Sequence, residues 1–159
     1  MKKINYITLL VFILLSEIIG SLGSLATIPN IPTWYADLIK PPLTPPNWLF
    51  GPVWTTLFAL MGISAYLVWH KGFTKKPVKK ALTWFGIQFA FNILWSFLFF
   101  GMRSPMAGFV CIGFLWGAIA LTIQYFWKIN KTAGVLLIPY LLWVTIATYL
   151  NAGIVLLNI

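Results

Sequence analysis

The chain has 159 residues, 60% of them hydrophobic and 8% charged, with a formal net charge of +9. A water-soluble domain of this size cannot cover its surface with so few charges, so its solvent is largely lipid. The composition therefore argues against a globular soluble enzyme, and the placement of the basic residues argues against a nucleic-acid binder.

In chain order, residues 4–26 form the first long apolar run, preceded by Lys2 and Lys3. The run imitates a secretory signal, with small residues around Ser21 and Gly23. It is nevertheless long enough to span, and Glu17 lies inside it, so it is read as a retained first helix. Ser16, Gly20 and Ser24 recur at small-xxx-small spacing with Gly23 beside them, which permits close helix contact. Glu17 is the one acid inside a predicted span. Ionising a carboxylate in hydrocarbon is costly, which leaves two readings: a neutral group packed in the bundle, or a proton-coupling site.

Residues 27–47 make a long connection holding Pro29, Pro32, Pro41, Pro42, Pro45 and Pro46, which excludes one continuous helix. Residues 33–40 predict a short helix with Thr33 as N-cap and Asp37 paired with Lys40. The loop is longer than a connector requires and is read as a lid over the outer mouth of the bundle. The second span, residues 48–69, sets Trp54, Phe58, Ala65 and Trp69 near one face. His70 at its basic end lacks companions at metal-ligand spacing and is read as an interfacial residue; no metal site is expected.

The third span, residues 81–100, repeats Gln88, Asn92, Trp95 and Phe99 at helical spacing and carries Gly86 and Ala90. The fourth, residues 106–127, carries Gly113 and Gly117 and ends at an interfacial Trp127; its Cys111 is the sole cysteine, so no intramolecular disulfide forms. Small residues in these spans are expected mostly to pack inside the bundle. The fifth, residues 133–157, repeats Tyr140, Trp143, Ala147, Leu150 and Asn151. The stripes on the second, third and fifth spans place aromatic surface beside isolated polar groups. If they converge, they form an apolar slot for a flat ligand. The competing reading is ordinary helix packing with asparagines bonded between helices.

Lysines cluster before the first span (Lys2, Lys3), after the second (Lys71, Lys75, Lys76, Lys79, Lys80) and after the fourth (Lys128, Lys131), whereas the alternate loops hold only Lys40 and Arg103. This positive-inside asymmetry explains the basicity and predicts a cytoplasmic N-terminus and an outside C-terminus. The lysines after the second span also suit contact with anionic membrane lipid. Continuous apolar runs without strand alternation indicate helices. The expected fold is all-α, an integral membrane five-transmembrane-helix bundle forming a single domain over residues 1–159. No carboxylate pair, Ser–His–Asp set or phosphate loop is present, so the usual acid–base and nucleophilic enzyme classes lack their parts. Leu60, Tyr66, Lys71 and Leu121, Tyr125, Lys128 match a loose cholesterol-contact pattern that arises readily by chance.

An ordered series of motifs now stands out: Gly20 with Gly23 and Ser24; Trp34, Tyr35, Leu38, Lys40 and Pro41; the unbroken run from Pro45 through Trp48, Phe50, Gly51, Pro52 and Trp54 to Thr55; Met61 and Gly62; Leu67, Val68 and Trp69; Gln88, Asn92, Trp95 and Ser96; then Pro139, Tyr140, Leu141, Trp143, Ala147, Leu150 and Asn151. The series resembles the TspO/translocator protein family, the tryptophan-rich sensory proteins or peripheral benzodiazepine receptors, nearly end to end. The resemblance implies a homodimeric membrane receptor or sensor that binds porphyrins and isoquinoline or benzodiazepine-type ligands, with no cofactor required and porphyrin or haem as ligand. It places ligand contacts on Tyr35, Pro45, Trp54, Phe58, Asn92, Trp95, Trp143, Ala147 and Leu150. It also raises light-dependent porphyrin breakdown, with Trp54 and Trp143 as candidate catalytic residues. A small proton-coupled exporter using Glu17 is a further alternative. The animal proteins' sterol segment needs a basic residue after the tyrosine of the fifth helix; here Tyr149 is followed by none, which weakens a sterol reading. The lysine-rich loop suits the cell membrane of a bacterium.

Overall fold

The computed structural model describes residues 4–158, so Lys2 and Lys3 of the topology signal lie outside the described residues. Helix α1, Tyr6–Ser21, begins at Asn5, whose side chain accepts from the Thr8 amide at 3.1 Å. Helix α2, Ser24–Asn30, continues it after a 47° bend. Bonds three residues apart (Leu22 N to Ile19 O, Gly23 N to Gly20 O, Ala26 N to Gly23 O) carry the chain round the joint. Gly23 is needed there for its size: a Cβ would lie 2.7 Å from Ser96 Oγ.

The expected loop at 27–47 is therefore shorter than predicted. Helix α2 runs to Asn30 through Pro29, and only beyond it does the chain become irregular. Helix α3, Trp34–Asp37, is a single turn. Thr33 precedes it without a side-chain cap, its hydroxyl donating instead to Pro29 O at 3.0 Å. The predicted Asp37–Lys40 pair does not form. Lys40 Nζ donates to Ala36 O and Leu38 O and sits 4.8 Å over the Tyr35 ring, within reach of three acceptor surfaces that an exposed Asp37 cannot match.

A 3₁₀ turn at Asn47–Leu49 leads into α4, Phe50–Trp69. Helix α5, Lys76–Ser96, starts five residues earlier than its apolar run because Pro77 suits a first turn and lysine stems lie along the helix while their charges reach water. A π turn at Phe97–Gly101 ends it and buries both Phe99 and Phe100. Helix α6, Pro105–Ile129, is capped by Ser104, and α7, Lys131–Leu136, by Asn130. Helix α8, Ile138–Leu157, follows a break at Leu137, because Pro139 has no N–H to continue the α7 ladder.

Helix α6 packs along α5 and α8, and α1 packs along α4. The α1–α4 contact is tight at Gly62, where a Cβ would stand 2.7 Å from the Ile13 Cα. The larger core cluster runs through Met61, Val68, Ile112, Leu115, Ile119, Phe126, Tyr140 and Val144; a smaller one under the lid holds Ala26, Tyr35, Phe99, Phe100 and Ile154. Leu10, Leu14, Leu15 and Ile18 of α1 are exposed, as a lipid-facing helix surface requires. Among the described residues four helical stretches are long and apolar enough to cross a membrane, and the bent α1–α2 pair makes a fifth if it is taken as one span. The chain is a multi-pass helical membrane protein. Of the small residues expected mostly to pack inside, Ser16, Gly20 and Gly23 do, but Gly86, Gly113 and Gly117 face open space.

Candidate functional site

The lid fastens to one end of the bundle. Asn158 at the end of α8 exchanges hydrogen bonds with the Ile39 backbone, Nδ2 donating to O at 2.9 Å and Oδ1 accepting from N at 3.0 Å. Tyr149 donates to Pro42 O at 3.1 Å, and Pro41 packs so closely on Gly153 that a Cβ there would lie 2.6 Å away. Tyr35 is driven inward, 4% exposed, with its ring against Phe99 and Phe100. Burial pushes its phenol above the ordinary tyrosine value, so it stays a neutral hydroxyl.

Beneath Tyr35 lies a cavity of about 280 Å³, bounded by α1 and α2 on one side, α4, α5 and α8 on the others. Tyr35, Trp54, Phe58, Asn92, Trp95, Trp143 and Ala147 line it, so the stripes on α4, α5 and α8 converge at this level. Pro45 and Leu150 do not line it: Pro45 stays on the lid, and Leu150 is buried among packed side chains. The stripes also diverge further down. Trp69 stacks on Tyr66 near Phe12 at the opposite end, and Gln88 is sealed in the core.

Aromatic contacts shape the walls. Trp54 stacks on Phe58 at 5.4 Å and meets Tyr140 edge-on at 6.2 Å; Phe58 stacks on Phe89 at 5.9 Å; Phe50 meets Trp143 edge-on at 5.8 Å. Behind them run two polar ties. Asn92 Nδ2 donates to Tyr140 OH at 3.1 Å, which donates to Gln88 Oε1 at 2.8 Å. Trp95 Nε1 donates to Asn151 Oδ1 at 3.0 Å, and Asn151 Nδ2 to Pro105 O at 2.8 Å. Packing and pocket thus coexist: asparagines bond between helices as the competing reading required, and the same ties hold Asn92 and Trp95 as wall. Since Asn92 gives an amide hydrogen to Tyr140, its carbonyl oxygen remains available as an acceptor.

Sequence reasoning missed much of the α1–α2 wall. Glu17, Gly20, Ser21, Ser24, Thr27 and Ile31 line the cavity, as do Thr55, Ser96 and Phe100. The signal was present in the spacing of Glu17, Gly20, Ser21 and Ser24 at three and four residues, one helix face. Among the described residues no lysine, arginine or histidine lines the cavity. Among the described residues no group of three or more His, Cys, Asp or Glu is placed to hold a metal. In the first cholesterol-contact match, Tyr66 is 1% exposed and its hydroxyl accepts from the Asn5 amide at 2.8 Å, so no tyrosine faces lipid there. Trp127 is partly exposed at the far end, packed on Gly134.

Residues 12–157 match the TspO/MBR family. The chain belongs to that family. It is 47% identical over 154 residues to the tryptophan-rich protein TspO of Archaeoglobus fulgidus, covering 97% of this chain and 99% of that one. With the tryptophan-rich protein TspO of Chlorobaculum tepidum it shares 44% identity over 152 residues, 96% of each chain. It is also similar to the human translocator protein, 42% identical over 120 residues, 74% of this chain and 70% of that one. Each of the described features that builds the cavity, from Gly20 to Ala147, falls inside the matched range.

Proposed function

We propose that this TspO/MBR family protein is a membrane receptor for flat, largely apolar ligands, porphyrins and isoquinoline or benzodiazepine-type compounds among them, held in the cavity between α1–α2, α4, α5 and α8. The observation that carries this reading is the convergence of Tyr35, Trp54, Phe58, Asn92, Trp95, Trp143 and Ala147 on one space beneath the lid. Stacked and edge-on rings give a planar guest the contacts it prefers, and a few acceptors orient it. At about 280 Å³ the space is at the lower edge of the usual range for ligand sites, roughly 300–1,000 Å³. A whole tetrapyrrole macrocycle would therefore extend through the side opening and carry its carboxylates outside, where no wall cation is needed.

In this reading no cofactor is required, and the ligand is sensed, carried or scavenged. The N-terminus is cytoplasmic and the lid lies on the outer side of the cell membrane, as the lysines at the opposite end of the bundle support. A second copy of the chain would use the open glycine faces of α5 and α6. The test is a titration of the purified protein with protoporphyrin, followed by quenching of tryptophan fluorescence, in darkness and in light. Saturable quenching that is lost on alanine substitution at Trp143 supports the reading; quenching that survives in that variant at unchanged affinity refutes it.

A further inference from the structure

The cavity wall is chemically lopsided. On the first helix pair, Glu17 and Ser21 lie one turn apart on α1, Ser24 opens α2 just past the bend, and all three line the cavity. Thr27 continues the row along α2, and Thr55 lines the cavity from α4. Ser21 and Thr55 are both exposed, so this flank is where the cavity opens sideways between the two helices. Each of the four hydroxyls donates to a backbone carbonyl three or four residues earlier in the chain: Ser21 to Ile18, Ser24 to Ser21, Thr27 to Gly23, Thr55 to Gly51. A hydroxyl whose hydrogen is engaged offers a guest only lone pairs. Glu17 adds a carboxyl that bonds to no other described side chain, in a wall with no basic residue among the described residues.

We propose that Glu17 and this hydroxyl row form a cation-selective subsite at the side opening, one that receives the protonated amine or N–H edge of a planar ligand lying on Trp54 and Phe58. This rests on the ligand-binding reading of the cavity. Burial makes the charge of a guest decisive, because an unpaired charge in low dielectric is costly and a paired, hydrogen-bonded one is not. An ammonium group finds a carboxylate and a row of acceptors; a carboxylate finds only acceptors. A charge-assisted hydrogen bond in such a setting corresponds to about a tenfold or larger gain in affinity.

The test uses three tricyclic probes of one shape: 9-aminoacridine as the cation, acridine as the neutral ring and acridine-9-carboxylate as the anion. Affinities are measured by calorimetry on the full chain in phosphatidylcholine nanodiscs, with empty nanodiscs subtracted for membrane partition. The expected wild-type order is cation, neutral, anion, with a cation-to-anion ratio of at least about tenfold. Glu17→Gln collapses that ratio toward one, whereas Glu17→Asp and Trp127→Ala keep it. Equal affinities for cation and anion in the wild type, or a ratio unchanged in Glu17→Gln, overturn the subsite while acridine binding still upholds the cavity. If acridine itself fails to bind, the cavity reading falls and the subsite falls with it.

Discussion

Gly20→Ala tests the coupling between helix packing and the cavity. A Cβ at Gly20 would stand 2.5 to 2.6 Å from three ring atoms of Phe58. Carbon atoms rest about 3.5–4.0 Å apart, so the ring must retreat by roughly 1 Å. Trp54 stacks on it at 5.4 Å and Phe89 at 5.9 Å, which closes two directions and leaves the cavity as the third. One methyl group on α1 is thus transmitted as lost volume in the cavity. Overpacking of this kind costs about 1–3 kcal/mol, and if the complex bears it, affinity falls roughly tenfold or more. Fluorescence titration with protoporphyrin measures the affinity, and thermal unfolding in detergent measures the stability. Adding Phe58→Leu, which trims the ring, should recover stability lost by the single variant. Wild-type affinity and stability in Gly20→Ala would refute the reasoning, since the ring would then have yielded elsewhere at no expense.

Three further experiments use substitutions in and around the site. Trp143→Ala removes a wall ring in contact with Phe50 and should weaken porphyrin binding by about 1–3 kcal/mol, while Trp127→Ala at the far end should leave the same titration nearly unchanged. Trp54→Phe combined with Trp143→Phe keeps flat surfaces but removes both indoles; if binding persists while light-dependent loss of porphyrin absorbance stops, the protein acts chemically on its ligand. Tyr140→Phe deprives Asn92 of an acceptor and Gln88 of a donor, and Gln88 Nε2 already lacks a partner. Buried orphans cost about 1–3 kcal/mol each in water-soluble cores but nearer 0.6 kcal/mol in membrane helices. The expected loss is therefore about 1–2 kcal/mol in a detergent unfolding assay.

What was legible in the chain was whatever periodicity and hydropathy encode. Four of the five apolar runs became helices long enough to cross a membrane and the first became a bent helix pair, and stripes such as Asn92 with Trp95 and Trp143 with Ala147 did reach one space. What escaped depends on contacts between distant segments. The 47° bend sits at Gly23, whose φ of −62° is ordinary; its constraint is Ser96, 73 residues away, which no local pattern reveals. The π turn that buries Phe99 and Phe100 together shifts the register after Trp95, so a regular helix predicts only one of them inside. Leu150 falls on the correct face of α8 but lies beyond the cavity, because a stripe gives direction and not depth. Tyr149, noted only for the missing basic residue after it, turns out to hold the lid.

How a ligand reaches the cavity follows from comparing its two boundaries. The lid end is closed by Tyr35 and held by the Asn158 pair and the Tyr149 bond, three hydrogen bonds at about 0.5–1.5 kcal/mol each, with the Pro41–Gly153 contact besides. Opening it also exposes the Tyr35, Phe99 and Phe100 cluster to water, at roughly 25 cal/mol for each Å² of apolar surface uncovered. The side between α2 and α4 requires no such loss. Helices α1 and α4 are pinned at Gly62 and at Gly20 against Phe58, yet Ser21, Gly51 and Thr55 further along are exposed. A flat apolar molecule is already concentrated in the membrane and meets this gap without a broken bond. If the cavity takes its guest from the membrane, side entry at Ser21 and Thr55 is therefore the cheaper route, with Glu17 one turn further in along the same lining. A carboxyl set inward of the opening acts on a guest already seated, so charge selectivity at Glu17 should appear in residence times before it appears in association rates.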